Sequence, residues 1–367
     1  MKQFIKNLTA APLSLCESAK SFLQSGFWGE FKASFSWTPF AFRVVWENGE
    51  EKTLLALYRP LVMGMGFAYA PWGPELPDGF PADDEARTCA LRETAEALRT
   101  FLPQSTAFVR FDPDWFSCEN EPRPAILRPF TRASSDIQPP DTVIIDLNQT
   151  DDQILAGMKP KWRYNVRLGC KKTRVFRADA DGLDTFYDLF TRTARRDGIA
   201  IHGIGYYKRL FEAAAVKTGL DLRLYLAEVE GLPLAGIVTL FRGKTATYLY
   251  GASSGEKRNL MAAYALQWQA IRDAKEARCA AYDLFGIPPD ASPVHPMAGL
   301  YLFKTGFGGR IVHRPGSWDY AYKHMTAHLF GAAEKVRKAL FDARKRRGRG
   351  GGGVNHASLH AEIERKD

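Results

Sequence analysis

The stretch 222–254, LRLYLAEVEGLPLAGIVTLFRGKTATYLYGASS, contains three apolar runs with the alternation of β-strands. Glu230-Gly231 and Arg242-Gly243 separate these runs, and such pairs favour the tight turns of antiparallel hairpins. The stretch therefore predicts a three-stranded antiparallel meander.

The sequence on either side of the meander extends this pattern. Residues 260–279 place apolar side chains on one helical face, and the short apolar run AAYDLFGI at 280–287 reads as a further strand. The order meander, helix, strand is typical of the acetyltransferase-like fold. The first 145 residues also alternate β-type runs, such as 40–46 and 52–60, with a helical pattern at about 83–101. The chain is therefore predicted to be mixed α/β (α+β).

Length and composition suggest two folded domains. At 367 residues the chain exceeds the usual size of one domain, and 46% hydrophobic residues indicate globular packing. Pro139 and Pro140 precede an apolar run and a helix start at 149–153, which places a domain boundary near 145.

No window is long and apolar enough for a spanning helix, and five scattered cysteines without a CxxC motif favour reduced thiols in the cytoplasm.

The net charge of +9 is concentrated near the end of the chain, because residues 335–349 carry eight lysines and arginines against one aspartate. The run RKRRGRGGGG at 344–353 predicts a flexible basic tail over 336–367. Three interpretations remain open: contact with tRNA phosphates, peripheral contact with the inner membrane face, and a solubilising terminus.

The segment 159–177 carries a run of cations without an acidic residue, interleaved with Trp162 and Tyr164. On a helix, Arg163, Arg167 and Lys171 are four residues apart and share a face, which suits phosphates or diphosphates. A solvated helix face is the alternative, but it leaves the charge repulsion uncompensated.

A second cluster of glycines, prolines and single polar groups lies at 283–320. Glycines 306, 308 and 309 would allow a ligand to approach the backbone beside Lys304, whose ammonium could stabilise an oxyanion in acyl transfer. The alternative is a surface lysine beside an ordinary turn. Asp283 and His295 are possible acids or bases, but no nucleophile pattern is visible. His324 and His328 lack a third ligand, so no metal site and no cofactor are predicted.

Three motifs resemble those of the Fem-type peptidoglycan bridge aminoacyltransferases, the FemABX family. They are FLQSGFWGEFK at 22–32, KPKWRYNVRLGCKK at 159–172 and HPMAGLYLFKTGFGG at 295–309, with TRTARRDGI and YLYGAS between them. The resemblance implies two tandem acetyltransferase-like (GNAT) domains, 1–145 and 146–309, the first completed by about 310–335. It also implies a form without a coiled-coil arm.

The resemblance implies a reaction as well. Aminoacyl-tRNA would donate an amino acid to the stem-peptide amine of a peptidoglycan precursor, either lipid II or UDP-MurNAc-pentapeptide. Lys32 matches the family lysine on the precursor's diphosphate, Tyr206 and Tyr250 match tyrosines of the same site, and Lys304 matches the lysine implicated in transfer. His202 stands where some members have arginine, so precursor binding could use Arg163 or Arg167 instead.

Two other functions remain as alternatives. A CoA-dependent N-acyltransferase would need a glycine-rich pyrophosphate loop after the meander, where this chain has SSGEKRNLMAA at 253–263. A non-enzymatic RNA-binding protein would use the basic helix and the tail but leaves the Lys304 cluster unexplained. For the proton of the attacking amine, Asp112 is a weak candidate base and fits a structural role better.

Overall fold

The computed structural model describes residues 3–61, 64–179 and 181–347. In chain order the strands are β1 Ile5–Ala11, β2 Thr38–Trp46, β3 Glu51–Pro60, β4 Gly66–Pro71, β5 Thr106–Asp112, β6 Ser117–Cys118, β7 Thr131–Arg132, β8 Asp141–Asp146, β9 Arg174–Ala178, β10 Leu220–Val229, β11 Leu232–Arg242, β12 Thr245–Ser253, β13 Ala281–Asp283, β14 Arg310–His313 and β15 Trp318–Ala321. The helices are α1 Gly26–Ala33, α2 Asp84–Leu98, α3 Asp151–Gly157, α4 Pro160–Lys172, α5 Gly182–Asp197, α6 Ile204–Ala215, α7 Ala262–Glu276, α8 Ala298–Thr305 and α9 His324–Arg347.

The chain divides into two compact units. Unit 1 contains residues 3–140 and 313–347, and unit 2 is Asp141–Val312. The sequence placed the corresponding divisions near 145 and 309. Unit 1 is therefore built from two separate parts of the chain.

Unit 1 has a sheet with the strand order β1-β2-β3-β4-β5-β15-β7. Strands β1 to β4 form antiparallel neighbours, helix α2 follows, and β5 then pairs with β4 in parallel. The returning strand β15 adds antiparallel to β5, with Tyr320 opposite Val109. Below the sheet, α2 contributes Leu91 and Leu98 to a core that also holds Val44 and Phe111.

Unit 2 repeats this order. Strands β10, β11 and β12 form the antiparallel meander that the sequence predicted, α7 follows, and β13 pairs with β12 in parallel. The strand order within the unit is β14-β8-β13-β12-β11-β10-β9. The mixed α/β prediction is confirmed, and each unit has the meander, helix and parallel strand that make a fold acetyltransferase-like. Within the described residues of this unit the longest helix, α5, has 16 residues.

Local sequence explains where several helices begin and end. The Asp83 carboxylate accepts a bond from the Ala86 amide at the start of α2, and Thr150 and Gln153 form a capping box at the start of α3. Helix α5 ends at Asp197, and Gly198 caps it with a φ of 60°, a left-handed conformation that favours glycine.

Helix α9 runs through the first part of the segment predicted to be a flexible tail, because residues 336–347 are helical. Residues 348–367, with the rest of that prediction, lie outside the described residues. Among the residues that the structure describes, no helix combines the length and apolar content needed to cross a membrane.

Candidate active site

Lys304 lies in the last turn of α8 and is buried, with 6% of its surface exposed. Its Nζ donates to the Phe285 carbonyl at 2.7 Å and to the Gly286 carbonyl at 2.9 Å. An ammonium group has three protons, so two carbonyl bonds leave one proton for another acceptor. The alternative of a surface lysine is therefore excluded by the burial of this side chain.

The two carbonyls are held by an unusual turn after β13. Phe285 has φ of 53°, a left-handed conformation that a bulky side chain adopts only when its surroundings enforce it. Asp283 supplies part of that enforcement, since its Oδ1 accepts from the Phe285 amide at 2.7 Å and from the Thr142 hydroxyl. Asp283 thus orients the backbone that holds Lys304.

Burial lowers the pKa of Lys304 from 10.5 to about 7, and the nearby Asp283 carboxylate opposes that shift. The Lys304 ammonium also lies 5.0 Å from the centre of the Tyr248 ring, a distance at which the ring stabilises a cation. Lys304 therefore changes its charge near neutral pH, which is a property expected of a group that takes part in proton or charge transfer.

A β-bulge in β12 decides where its two tyrosines point. Thr239 pairs with Tyr248 but Val238 pairs with Tyr250, so one extra residue interrupts the alternation. The two tyrosines consequently lie on opposite faces of the sheet. Tyr248 packs on the α7 side with Lys304, while Tyr250 contacts Tyr207 and Phe190 on the α5 and α6 side.

The residues predicted to bind the precursor in unit 2 form an aromatic cluster. The His202 ring stacks on Tyr206 with centroids 3.9 Å apart, and Tyr207 contacts both Tyr206 at 5.5 Å and Tyr250 at 5.3 Å. Tyr187 donates its hydroxyl to the His202 carbonyl at 3.1 Å. The structure therefore brings His202, Tyr206 and Tyr250 together through Tyr207.

A groove of about 380 Å³ borders this cluster, lined by Tyr187, Thr191, Ala194, Arg195, Ile199, Ile201 and Gly203. Its walls come from α5 and from the loop that carries His202. Lys304 is not among the lining residues.

Helix α4 packs directly against the helix that carries Lys304. Trp162 donates its indole N–H to the Phe303 carbonyl at 2.8 Å, and its ring lies where a Cβ on Gly306 would be, 2.1 Å away. Added Cβ atoms would meet the Gly157 carbonyl at 2.7 Å from Gly308 and the Ile144 carbonyl at 2.6 Å from Gly309. These glycines therefore allow close packing within unit 2, and the approach of a ligand to them stays a prediction.

The predicted positive stripe on α4 is only partly a free surface. Arg163 donates to the Ala156 and Met158 carbonyls at 2.8 and 2.7 Å, which fixes the turn between α3 and α4. Arg167 and Lys171 are exposed. The two exposed cations therefore provide the part of the stripe that can contact phosphates.

Lys32 lies in unit 1, on α1, and is 4% exposed. Its Nζ is 5.5 Å from the Trp28 ring and 5.7 Å from the Trp37 ring, and the Arg59 guanidinium lies 5.3 Å from the same Trp37 ring. The Trp37 indole N–H is buried and has no hydrogen-bond acceptor among residues 3–61, 64–179 and 181–347. Two cations and an indole donor around one ring suit an anion.

Asp112 and His295, the candidate bases, have structural contacts. The buried Asp112 carboxylate accepts from the Tyr69 hydroxyl at 2.6 Å, from the Gln138 amide at 2.9 Å and from the Ser317 hydroxyl, and burial raises its pKa to about 6. His295 Nδ1 accepts from the Met297 amide at 3.0 Å, just before α8. The described part of the chain holds no cluster of three metal-ligating side chains.

Comparison with known proteins matches this arrangement to one family. The FemAB family pattern covers residues 125–230 and 222–335, which together make up more than half of the chain. The chain belongs to the FemAB family. A lipid II:glycine glycyltransferase of Staphylococcus epidermidis is 25% identical over 268 residues, and one of Staphylococcus aureus is 25% identical over 273. Each match covers 57% of this chain and 64% of the relative, less than two thirds of the relative's length.

The crystal structure of FemX has the same fold. It superposes with a TM-score of 0.72 at 20% identity, over 89% of this chain and 100% of FemX. The recognition of a FemABX-type chain from its three motifs is therefore confirmed.

Sequence reasoning missed several groups that surround the candidate residues of this FemAB chain. Tyr248, the carbonyls of Phe285 and Gly286, and the pair Arg59 and Trp37 were not predicted. Gly251 of YLYGAS was a usable signal of the position of Tyr248. A Cβ on this residue would lie 1.8 Å from the Tyr248 hydroxyl, so only glycine fits there. The Phe285 and Gly286 carbonyls could not be predicted from the sequence, because every residue has a backbone carbonyl whatever its side chain.

Proposed function

We propose that this chain transfers an amino acid from aminoacyl-tRNA to the stem-peptide amine of a peptidoglycan precursor. The precursor is lipid II or UDP-MurNAc-pentapeptide, and glycine is the first amino acid to test because the curated relatives are glycyltransferases by name. The reaction takes place in the cytoplasm, where aminoacyl-tRNA is found. Membership of the FemAB family supports the proposal.

The observation that carries the proposal is the desolvated Lys304 ammonium. The neutral amine of the acceptor attacks the ester carbonyl carbon, an amide bond forms, and the ester bond to the tRNA ribose breaks. The nitrogen loses one proton in this step, and the leaving ribose oxygen gains one to become a hydroxyl. Negative charge develops on the carbonyl oxygen during this attack. Lys304 is held by two carbonyls with one proton to spare, so it can donate that proton in a hydrogen bond to the developing oxyanion.

The remaining sites bind the substrates. In unit 1, Lys32 and Arg59 around Trp37 suit a diphosphate, which both candidate precursors contain. In unit 2, Tyr206 and Tyr250 offer hydroxyl donors, and His202 adds a charge that depends on pH. Arg167 and Lys171 suit the phosphates of tRNA.

The test uses the purified chain with a pool of labelled aminoacyl-tRNAs and, separately, lipid II or UDP-MurNAc-pentapeptide. We expect labelled precursor from the native chain. We expect Lys304→Ala to slow transfer about 100-fold or more, the cost of losing an oxyanion donor, while tRNA affinity stays nearly unchanged. Full activity of Lys304→Ala would show that the assignment of Lys304 is wrong.

The two alternatives have their own outcomes in this assay. Acetylation from acetyl-CoA without transfer from tRNA would favour the CoA-dependent acyltransferase. Tight tRNA binding without any transfer would favour the RNA-binding protein. At the junction between β12 and α7 the chain has a short 3-10 helix, Arg258–Leu260, flanked by left-handed Lys257 and Met261. A single glycine, Gly255, precedes it, which gives no support to a glycine-rich pyrophosphate loop.

A further inference from the structure

Helix α9 has an exposed apolar stripe that its own unit does not cover. The stripe consists of Met325, Leu329, Val336 and Leu340, with 79%, 64%, 60% and 58% of each residue exposed. The spacing of four, seven and four residues places all four side chains on one helical face. Apolar side chains at this exposure and spacing indicate an interaction surface.

The opposite face of α9 is fixed to unit 1, so the stripe points outward. The Phe330 ring lies 5.8 Å from the Phe67 ring and 5.1 Å from the Phe108 ring. Glu334, one turn later, is 1% exposed and accepts from Arg110 at 2.9 Å. Rotation of the helix to bury the stripe would remove both contacts.

The charges beside the stripe are positive. Lys335 and Arg337 are exposed on either flank. Among the described side chains of α9 the one acid is Glu334, and it is buried in an ion pair. The sequence continues with Arg344, Lys345, Arg346 and Arg347. A helix with an apolar stripe between cationic flanks has the composition of helices that lie in the interface of an anionic membrane.

We propose that α9 lies on an anionic phospholipid surface, with the stripe among the acyl chains and the flanking cations at the lipid phosphates. Other occupants fit less well. Two copies of the chain would bring like charges together along both flanks, which disfavours pairing of helices. Nucleic acid offers phosphates to the cations but no apolar surface for the stripe.

This inference deepens the proposed function, since a lipid-linked acceptor lies at such a surface. The reason for membrane binding rests on the proposed function, but the binding itself does not. Vesicle binding is measured without tRNA or acceptor, so the failure of one proposal is distinguishable from the failure of the other.

The experiment compares binding of the full chain to vesicles of phosphatidylcholine alone and of phosphatidylcholine with phosphatidylglycerol. We expect binding to the anionic vesicles only, and weaker binding at high salt. The double variant Leu329→Gln with Val336→Gln should bind about tenfold or more weakly, because two apolar side chains leave the interface. The matched control is Val216→Gln, which replaces a residue that is 79% exposed in unit 2. It should bind like the native chain.

Thermal unfolding and circular dichroism check that the variants stay folded, and both should match the native chain. Three results would overturn the inference: no binding of the native chain to anionic vesicles, equal binding of the double variant, or a native dimer that the double variant makes monomeric without any vesicle binding. The last result would assign the stripe to a second copy of this chain.

Discussion

Lys304 combines burial, two carbonyl acceptors and an aromatic neighbour in one position. The desolvation of its ammonium is offset by the Phe285 and Gly286 carbonyls, by Asp283 and by the Tyr248 ring. Because burial lowers its pKa to about 7 and the Asp283 carboxylate opposes that shift, small changes around Lys304 alter its charge near neutral pH.

The pH dependence of transfer should report the charge of Lys304. The acceptor amine gains reactivity as pH rises, while Lys304 loses its proton above its pKa of about 7. The native rate should therefore rise up to about pH 7 and then level off, since the two effects cancel. Lys304→Arg keeps its charge, so its rate should continue to rise. Single-turnover rates, corrected for ester hydrolysis, measure both profiles, and a break near pH 7 in both would contradict the assignment.

The Tyr248 ring should hold the Lys304 ammonium in place and raise the pKa of Lys304. Loss of the ring in Tyr248→Leu removes a contact worth about 0.5–1 kcal/mol to the ammonium, which lowers the pKa of Lys304 by about half a unit. The break in the pH profile should move to lower pH in this variant. Tyr248→Phe keeps the ring and should keep the native break. A purely structural role would change the rate but leave the position of the break unaltered.

Helix α4 has two roles, since it carries exposed cations and also supports α8 through Trp162. The double variant Arg167→Gln with Lys171→Gln should weaken tRNA binding and reduce the slope of log affinity against log salt by about 2, one for each lost phosphate contact. Filter binding at several salt concentrations measures that slope. The variant Lys6→Gln with Arg128→Gln removes equal charge from exposed positions in unit 1. An equal loss of slope in this control would indicate a nonspecific effect of net charge.

The packing of α4 on α7 depends on Gly169. A Cβ there would meet the Met261 carbonyl at 2.6 Å and the Ala265 Cβ at 3.1 Å, so Gly169→Ala should reduce the free energy of unfolding by about 1–3 kcal/mol. Gly157→Ala is the matched control, because nothing lies within 4 Å of its added Cβ. Denaturant unfolding of both variants tests the difference, and equal midpoints would show that α4 can move away at no cost.

The chain leaves unit 1 at Pro140 and returns to it at His313. A buried ion cluster fastens the returning segment. Arg110 on β5 donates to Asp319 at 2.6 and 2.8 Å and to Glu334 at 2.9 and 3.2 Å, and these carboxylates raise the pKa of its guanidinium. Unit 1 is therefore complete only when residues from both ends of the sequence are present.

Removal of one charge from this cluster should be costly. Glu334→Gln keeps the shape of the side chain, and Asp319 still pairs with Arg110, but the charge-assisted hydrogen bonds from Arg110 to Glu334 are weakened or lost. We expect a cost of about 1.5–3 kcal/mol in the free energy of unfolding. The control is Glu51→Gln, which breaks the pair of Glu51 with Arg43, where both side chains are about half exposed. It should cost less than about 1 kcal/mol. Similar costs for both variants, measured by denaturant unfolding, would show that the cluster does not fasten the segment.

The main elements and the family could be predicted from the order of the amino acids alone. Alternation in 222–254 predicted the meander, helical periodicity predicted α2 and α7, and three motifs were enough for the FemAB family. These features are local, because strand and helix periods and short motifs are written in neighbouring residues.

Which groups come into contact is known only from the folded chain. The carbonyls around Lys304, the separation of Tyr248 from Tyr250 by a bulge, and the contact of Gly306 with Trp162 all depend on residues distant in sequence or on backbone conformation. The exposure of the stripe on α9 is of the same kind. A helix pattern shows which side chains share a face, but the folded chain decides which face is covered, because burial follows from long-range packing.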